Sequence, residues 1–195
     1  MKRSRVQMLI GIDPGLAFTG FAVASVRARS SVIQAVKAVG IIRTSPDGEA
    51  AHKGADKYRR AEEIHRQLRA VIAEHAVQTV MFEMGVRSVT RYANFDFGLV
   101  YGLIAGLALP TIAVSPQEVK RAATGVSRAS KGDVIKWALK LTRGCPGHWP
   151  TSQVPNSLGL KIGGKYVCSY AEHAADALAV IQAGVCSEEW LTAED

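Results

Sequence analysis

A chain of 195 residues, 48% of them hydrophobic, is long enough to bury one full core and short for two, so one domain over residues 1–195 is expected. It has no run of eighteen apolar residues, and the basic start Met1-Lys2-Arg3-Ser4-Arg5 leads into too few apolar residues for a signal segment, which argues against secretion or a membrane span. The 24 Lys and Arg against 17 Asp and Glu give a net charge of +7 and favour a polyanionic partner through counterion release.

Cys145, Cys168 and Cys186 are odd in number and irregularly spaced. That argues against a disulfide framework and for a reducing cytoplasm, of a bacterium or of a virus-infected host.

Val6 to Ile12 is an apolar run stopped by Asp13-Pro14-Gly15, the pattern of a buried strand that leaves Asp13 at its end. Phe18 to Val26 and Val32 to Ile42 are two further β-rich runs, which predicts a three-stranded antiparallel meander. From Ala55 to Ala76, Ile64, Leu68, Val71 and Ile72 recur at helical spacing among charged residues, so this is a surface helix packed by one stripe. Thr79 to Phe82 is a short buried strand that delivers Glu83 to a position equivalent to that of Asp13.

Phe97 to Leu109, with Gly98, Gly102 and Gly106 four apart, is too short to span a membrane and suits close helix packing. Thr111 to Val114 is another strand. Ser115-Pro116-Gln117-Glu118 has the form of a capping box and starts a helix at Pro116. Lys131 to Leu141 is helical. Residues 144–169, rich in Gly, Pro and Ser, form an inserted loop or hairpin, and Tyr170 to Val185 closes the fold as an alanine-rich helix carrying Glu172, His173 and Asp176.

Asp13 and Glu83 at neighbouring strand ends, with Asp176 from a helix laid across them, would put three carboxylates around one cleft. Such hard oxygen ligands suit magnesium, and a pair of magnesium ions suits phosphodiester hydrolysis. His173 lies three residues before Asp176 and faces the same way, either as a ligand or water-orienting group or as a partly buried histidine satisfied by a neighbour. Asp176 sits among Ala174, Ala175, Ala177, Leu178 and Ala179, where a lone carboxylate would be costly to bury without a cation. Glu172 ranks behind His173 as a substitute ligand. Cys145, His148 and Cys168 in the insertion match no familiar zinc spacing, and free cysteines are commonly buried.

Gly11-Ile12-Asp13-Pro14-Gly15 with Thr19-Gly20, then Phe82-Glu83, then His173-Ala174-Ala175-Asp176-Ala177-Leu178-Ala179 resembles, in order and spacing, the signature of the RuvC family of Holliday-junction resolvases. The resemblance implies an RNase H-like α/β fold with a five-stranded mixed sheet, three strands antiparallel and then two parallel, flanked by helices. It implies a homodimer that nicks four-way DNA junctions in recombination and repair, leaving 5′-phosphates. It also implies two Mg2+ ions per site, replaceable by Mn2+, held by Asp13, Glu83, His173 and Asp176.

Lys120 and Lys131 resemble the basic residues this family uses near the scissile phosphate. Where many members have aspartate, this chain has His173, as some bacterial members do. After Glu83 it has Met84-Gly85-Val86 and lacks the phenylalanine that wedges into the junction. Tyr92 or Phe95, with Arg87 and Arg91 on phosphates, are candidates to replace it, the alternative being that Phe95 and Phe97 are core residues of the following helix. Lys161, Lys165 and Tyr166 make the insertion a candidate DNA contact.

The turn Asp13-Pro14-Gly15 followed by Thr19-Gly20 also fits the phosphate-binding turn of actin-like ATP-binding domains, but those duplicate the domain and exceed this length. A non-catalytic DNA-binding module is a further alternative, against which the intact carboxylate set stands. So is a nuclease for flaps, other branched DNA or RNA–DNA hybrids, because a fold does not fix a substrate.

Overall fold

The computed structural model describes residues 5–49, 52–85, 91–142 and 149–193, the side chains of 91–94 excepted. Strand β1 (Val6–Asp13) alternates its side chains between two faces: Ile10 and Ile12 enter one core, while Leu9 enters the other. It pairs antiparallel with β2 (Phe18–Arg27), which pairs antiparallel with β3 (Ile33–Arg43). On its other side β1 pairs parallel with β4 (Thr79–Glu83), and β4 pairs parallel with β5 (Thr111–Val114). The order is β3-β2-β1-β4-β5, the expected five-stranded mixed sheet.

Helices α1 (Lys53–Glu74) and α2 (Arg91–Ala105) cover one face through Ile64, Leu68, Val100, Leu103 and Ile104. The other face is covered by α3 (Pro116–Thr124), α4 (Lys131–Leu141) and α5 (Glu172–Val185), whose Val119, Ile135, Leu178 and Ile181 pack on Leu9, Met81 and Ile112. Both α3 and α4 begin with complete capping boxes, Ser115 with Glu118 and Ser130 with Asp133. Each box satisfies backbone donors that a helix start otherwise leaves unpaired.

The predicted loop or hairpin at 144–169 contains a small second sheet of β6 (Thr151–Ser152), β7 (Lys161–Ile162) and β8 (Lys165–Val167), ordered β6-β8-β7. Its β7–β8 turn is Gly163-Gly164, both at positive φ, as a two-residue hairpin requires. Trp149, Leu158 and Leu160 seat this sheet against the core. A short helix, α6 (Glu188–Thr192), is an element the sequence pattern did not suggest; its Trp190 is buried and donates from Nε1 to the Ser30 carbonyl at 3.0 Å.

Candidate active site

Side-chain alternation puts Asp13 on the α5 face of the sheet with Leu9, and Glu83 on the same face with Met81. The parallel register Ile12↔Phe82 makes Asp13 and Glu83 lateral neighbours at the carboxyl ends of β1 and β4. Helix α5 reaches them because the sheet surface beneath it is glycine. A Cβ on Gly11 would overlap the Ala177 carbonyl oxygen, and one on Gly20, which pairs with Asp13, would overlap that of His173. Two side-chain-free positions on adjacent strands therefore let the first turns of α5 lie directly on the sheet and lower His173 and Asp176 over Asp13.

His173 Nδ1 donates to Asp13 Oδ2 at 2.6 Å. Burial pulls the imidazole down, but its bond to Asp13 and the charges of Asp13, Glu172 and Asp176 outweigh burial and raise it above the ordinary histidine value. The Glu83 carboxyl is pushed up to about 7 by burial and by the negative charge of Asp13, with Lys120 opposing. Asp176 is also pushed up to about 7, by burial and then by Asp13, Glu83 and Glu172, with His173 opposing. Glu83 thus feels the charge of Asp13, and Asp176 feels those of Asp13 and Glu83, as groups sharing one cleft do.

Among the described residues, no group of three His, Cys, Asp or Glu side chains is already closed tightly enough to hold a metal ion. The donor set nonetheless fits a hard divalent ion, because the burial and mutual repulsion that raise Glu83 and Asp176 are what such a charge would offset.

The two lysines singled out in the sequence both reach this cleft. Lys120 on α3 is close enough to act on Glu83. Lys131, first residue of α4, holds Glu172 Oε1 at 2.8 Å and senses Asp176 and Asp13. Glu172 is therefore engaged by a lysine, with His173 Nε2 at 4.0 Å from the same oxygen.

The family described as crossover junction endodeoxyribonuclease RuvC matches residues 9–144, about two-thirds of the chain. This chain belongs to the RuvC family. The RuvC of Synechococcus sp. (strain CC9311) is 30% identical over 138 residues, 68% of this chain and 82% of that one. The RuvC of Chlorobium phaeobacteroides is 30% identical over 159 residues, 80% of this chain and 79% of that one. Among solved structures, T. thermophilus RuvC in complex with a Holliday junction substrate superposes with a TM-score of 0.65 at 24% identity, covering 91% of this chain and 92% of that one. That likeness confirms the RNase H-like fold. The stretch matched by the RuvC family ends before α5, so the approach of His173 and Asp176 to the strand-end acids is known from the structure itself.

Other expectations fare differently in this RuvC chain. Arg87 lies outside the described residues, as do Cys145 and His148, and only the helical backbone is described at Arg91 and Tyr92. Phe95 is not a core residue: it is 57% exposed, with Lys57 Nζ 5.2 Å from its ring centroid. Phe97 stacks on Tyr101, at 6.0 Å between centroids. Lys161 and Lys165 lie on the β7–β8 hairpin, Lys161 Nζ 4.4 Å from the Tyr166 ring, and the chain runs from this hairpin straight into the turn before α5.

Sequence reasoning missed Phe18, Tyr170 and Arg43. Phe18 stacks on the His173 imidazole at 5.5 Å and on Tyr170 at 5.6 Å, and Arg43 lies 5.4 Å from the Phe18 centroid. The one usable signal was the spacing of Phe18 and Gly20, two apart on a strand and so on the same face.

Proposed function

We propose that this chain is an endonuclease that resolves four-way DNA junctions in recombination and repair, each active site hydrolysing one phosphodiester to leave a 5′-phosphate and a 3′-hydroxyl. The observation that carries the reading is the cleft of a RuvC chain in which His173 bonds Asp13 and the charge of Asp13 acts on both Glu83 and Asp176, from three separate elements, with Lys120 and Lys131 beside them. Asp13, Glu83 and Asp176, with His173 near them, would hold two Mg2+ ions, or Mn2+ in their place. When bound, such ions supply charge neutralisation at the phosphorus and lower the pKa of a coordinated water.

The chain's own residues do the rest. In the neutral imidazole, which the raised His173 value moves toward alkaline pH, Nδ1 keeps the proton donated to Asp13 and Nε2 carries the free lone pair that can accept a proton from the attacking water. Lys120 and Lys131 stand where negative charge grows on the phosphoryl oxygens, and Lys131 exchanges Glu172 for phosphate when the strand enters. Lys161 and Lys165, on a hairpin leading into α5, extend the cationic surface to flanking phosphates. Arg87 and Arg91 are assigned the same role.

Paired nicks need two sites, and we propose a homodimer formed through α2. Gly98 and Gly102 on that helix have no neighbouring atom within 4 Å of a would-be Cβ, and Phe95 beside them is exposed. A face of small residues one helical turn apart accepts a second helix closely. A cytoplasmic setting suits the free thiols of Cys168 and Cys186.

The test is cleavage of synthetic four-way, flap, linear duplex and RNA–DNA substrates side by side with Mg2+. Symmetrical nicks near the crossover of the four-way substrate are expected. Cutting of flaps or hybrids with the junction left intact would overturn the reading.

A further inference from the structure

We infer that Phe18 is a positioning residue that fixes the plane of the His173 imidazole. The inference rests on the functional reading above for its consequence, though not for its geometry. One hydrogen bond, Nδ1 to Asp13 at 2.6 Å, fixes one nitrogen of the ring but not its plane. The Phe18 ring lies against it at 5.5 Å between centroids with only 6° between planes, within the range of an offset stack. These two restraints together leave the imidazole a single orientation.

Phe18 is itself held. It opens β2 and pairs with Arg43, last residue of β3, in the sheet register. The Arg43 guanidinium carbon lies 5.4 Å from the Phe18 centroid and 5.6 Å from that of Tyr170, whose ring stacks on Phe18 with 20° between planes. Gly20, two residues along the same strand face, admits the backbone of His173, so the helix turn and the phenylalanine meet the histidine from the same strand. The arrangement selects where Nε2 points, and with it the line along which His173 can meet a water or a ligand.

The test compares wild type with Phe18→Leu, which removes the flat face at similar size, and Phe18→Tyr, which restores it. Phe18→Met is the second truncation if the leucine variant does not fold. In the metal-free protein, Phe18→Leu is expected to change the nuclear Overhauser signals that join the His173 ring protons to their neighbours on β1 and β2, as the imidazole leaves its single plane, a change that loss of the ring current alone would not cause, while Phe18→Tyr leaves them as in the wild type. With Mg2+, Phe18→Leu is expected to slow single-turnover junction cleavage roughly tenfold, with junction affinity changed less than about twofold and Phe18→Tyr at the wild-type rate. Unchanged His173 signals with an unchanged rate would overturn the inference. So would a loss of junction affinity in step with the rate, which would make Phe18 a DNA contact. If the wild type leaves junctions uncut, the functional reading falls, and the ring signals alone decide whether Phe18 holds the imidazole.

Discussion

Glu83 and Asp176 hold carboxyl groups at about 7 where free glutamate and aspartate lie at 4.5 and 3.8, and His173 is raised as well. All three shifts have one sign: the folded chain keeps a proton that the unfolded chain would release. The stability linked to the two carboxyls is fully present below their unfolded values and is lost as pH rises through about 7. The His173 contribution is likewise present below 6.5 and lost as pH rises through its higher folded value. Carboxylates lowered by partners, such as Glu118 and Asp133 in the capping boxes, act at lower pH and leave this window to the active site.

The metal-free protein is therefore expected to melt at falling temperature from about pH 4.5 up through about pH 7, by up to about 1.4 kcal/mol per pH unit for each extra proton held. Millimolar Mg2+ should flatten the upper part of that slope, and Asp176→Asn should reduce it. A flat profile by calorimetry without metal would contradict the shared cleft. In single-turnover assays Asp13→Asn, Glu83→Gln and Asp176→Asn should each slow junction cleavage by roughly a thousandfold or more, because several kcal/mol of transition-state stabilisation depends on the ligand set. Junction affinity should stay within a few-fold of wild type, since each change removes a metal ligand and no phosphate contact.

At the scale of elements, α5 lies on the sheet only because Gly11 and Gly20 leave room for the carbonyls of Ala177 and His173. Neither neighbour is a movable side-chain tip. Gly20→Ala is expected to cost about 3 kcal/mol, lowering the melting temperature by roughly 6–12 °C in a chain of this size, and to weaken cleavage beyond that loss by lifting His173 from Asp13. A Gly20→Ala protein with wild-type melting temperature and activity would show that α5 does not need this approach.

The elements were largely legible in the sequence. The strands ending at Asp13 and Glu83 announced themselves by apolar runs cut by turn residues, and the Ser115 and Ser130 helix starts lie within a turn of the groups that cap them. Of the three-stranded sheet at 151–167 only a loop or hairpin was legible, because strands of two or three residues are too short to show a period. The start of α2 at Arg91 lay ahead of the apolar run used to find it. The stack of Phe18 on His173 joins residues 155 positions apart, which no local pattern records.

At the scale of the whole molecule, the acids, the lysines of α3 and α4, and the β7–β8 hairpin act as one unit on a polyanion only if the cations of the chain are used together. Junction affinity should fall steeply with salt, the slope growing with the number of phosphates neutralised. Lys161→Ala with Lys165→Ala should reduce that slope by about two while leaving the cleavage step nearly unchanged. For the dimer, Gly98→Leu with Gly102→Leu should shift sedimentation from dimer to monomer; an unchanged dimer would place the interface elsewhere. The chain's net charge of +7 suits fast encounter with DNA but sets no substrate.

Titration of the purified protein with Mn2+, followed by electron paramagnetic resonance, asks most directly whether Asp13, Glu83 and Asp176 jointly bind divalent ions. Saturable binding by the wild type, competed by Mg2+ and lost or severely weakened in Asp13→Asn, Glu83→Gln and Asp176→Asn while each variant keeps its fold, is the predicted result. Undiminished Mn2+ binding by a folded Asp176→Asn protein would contradict it.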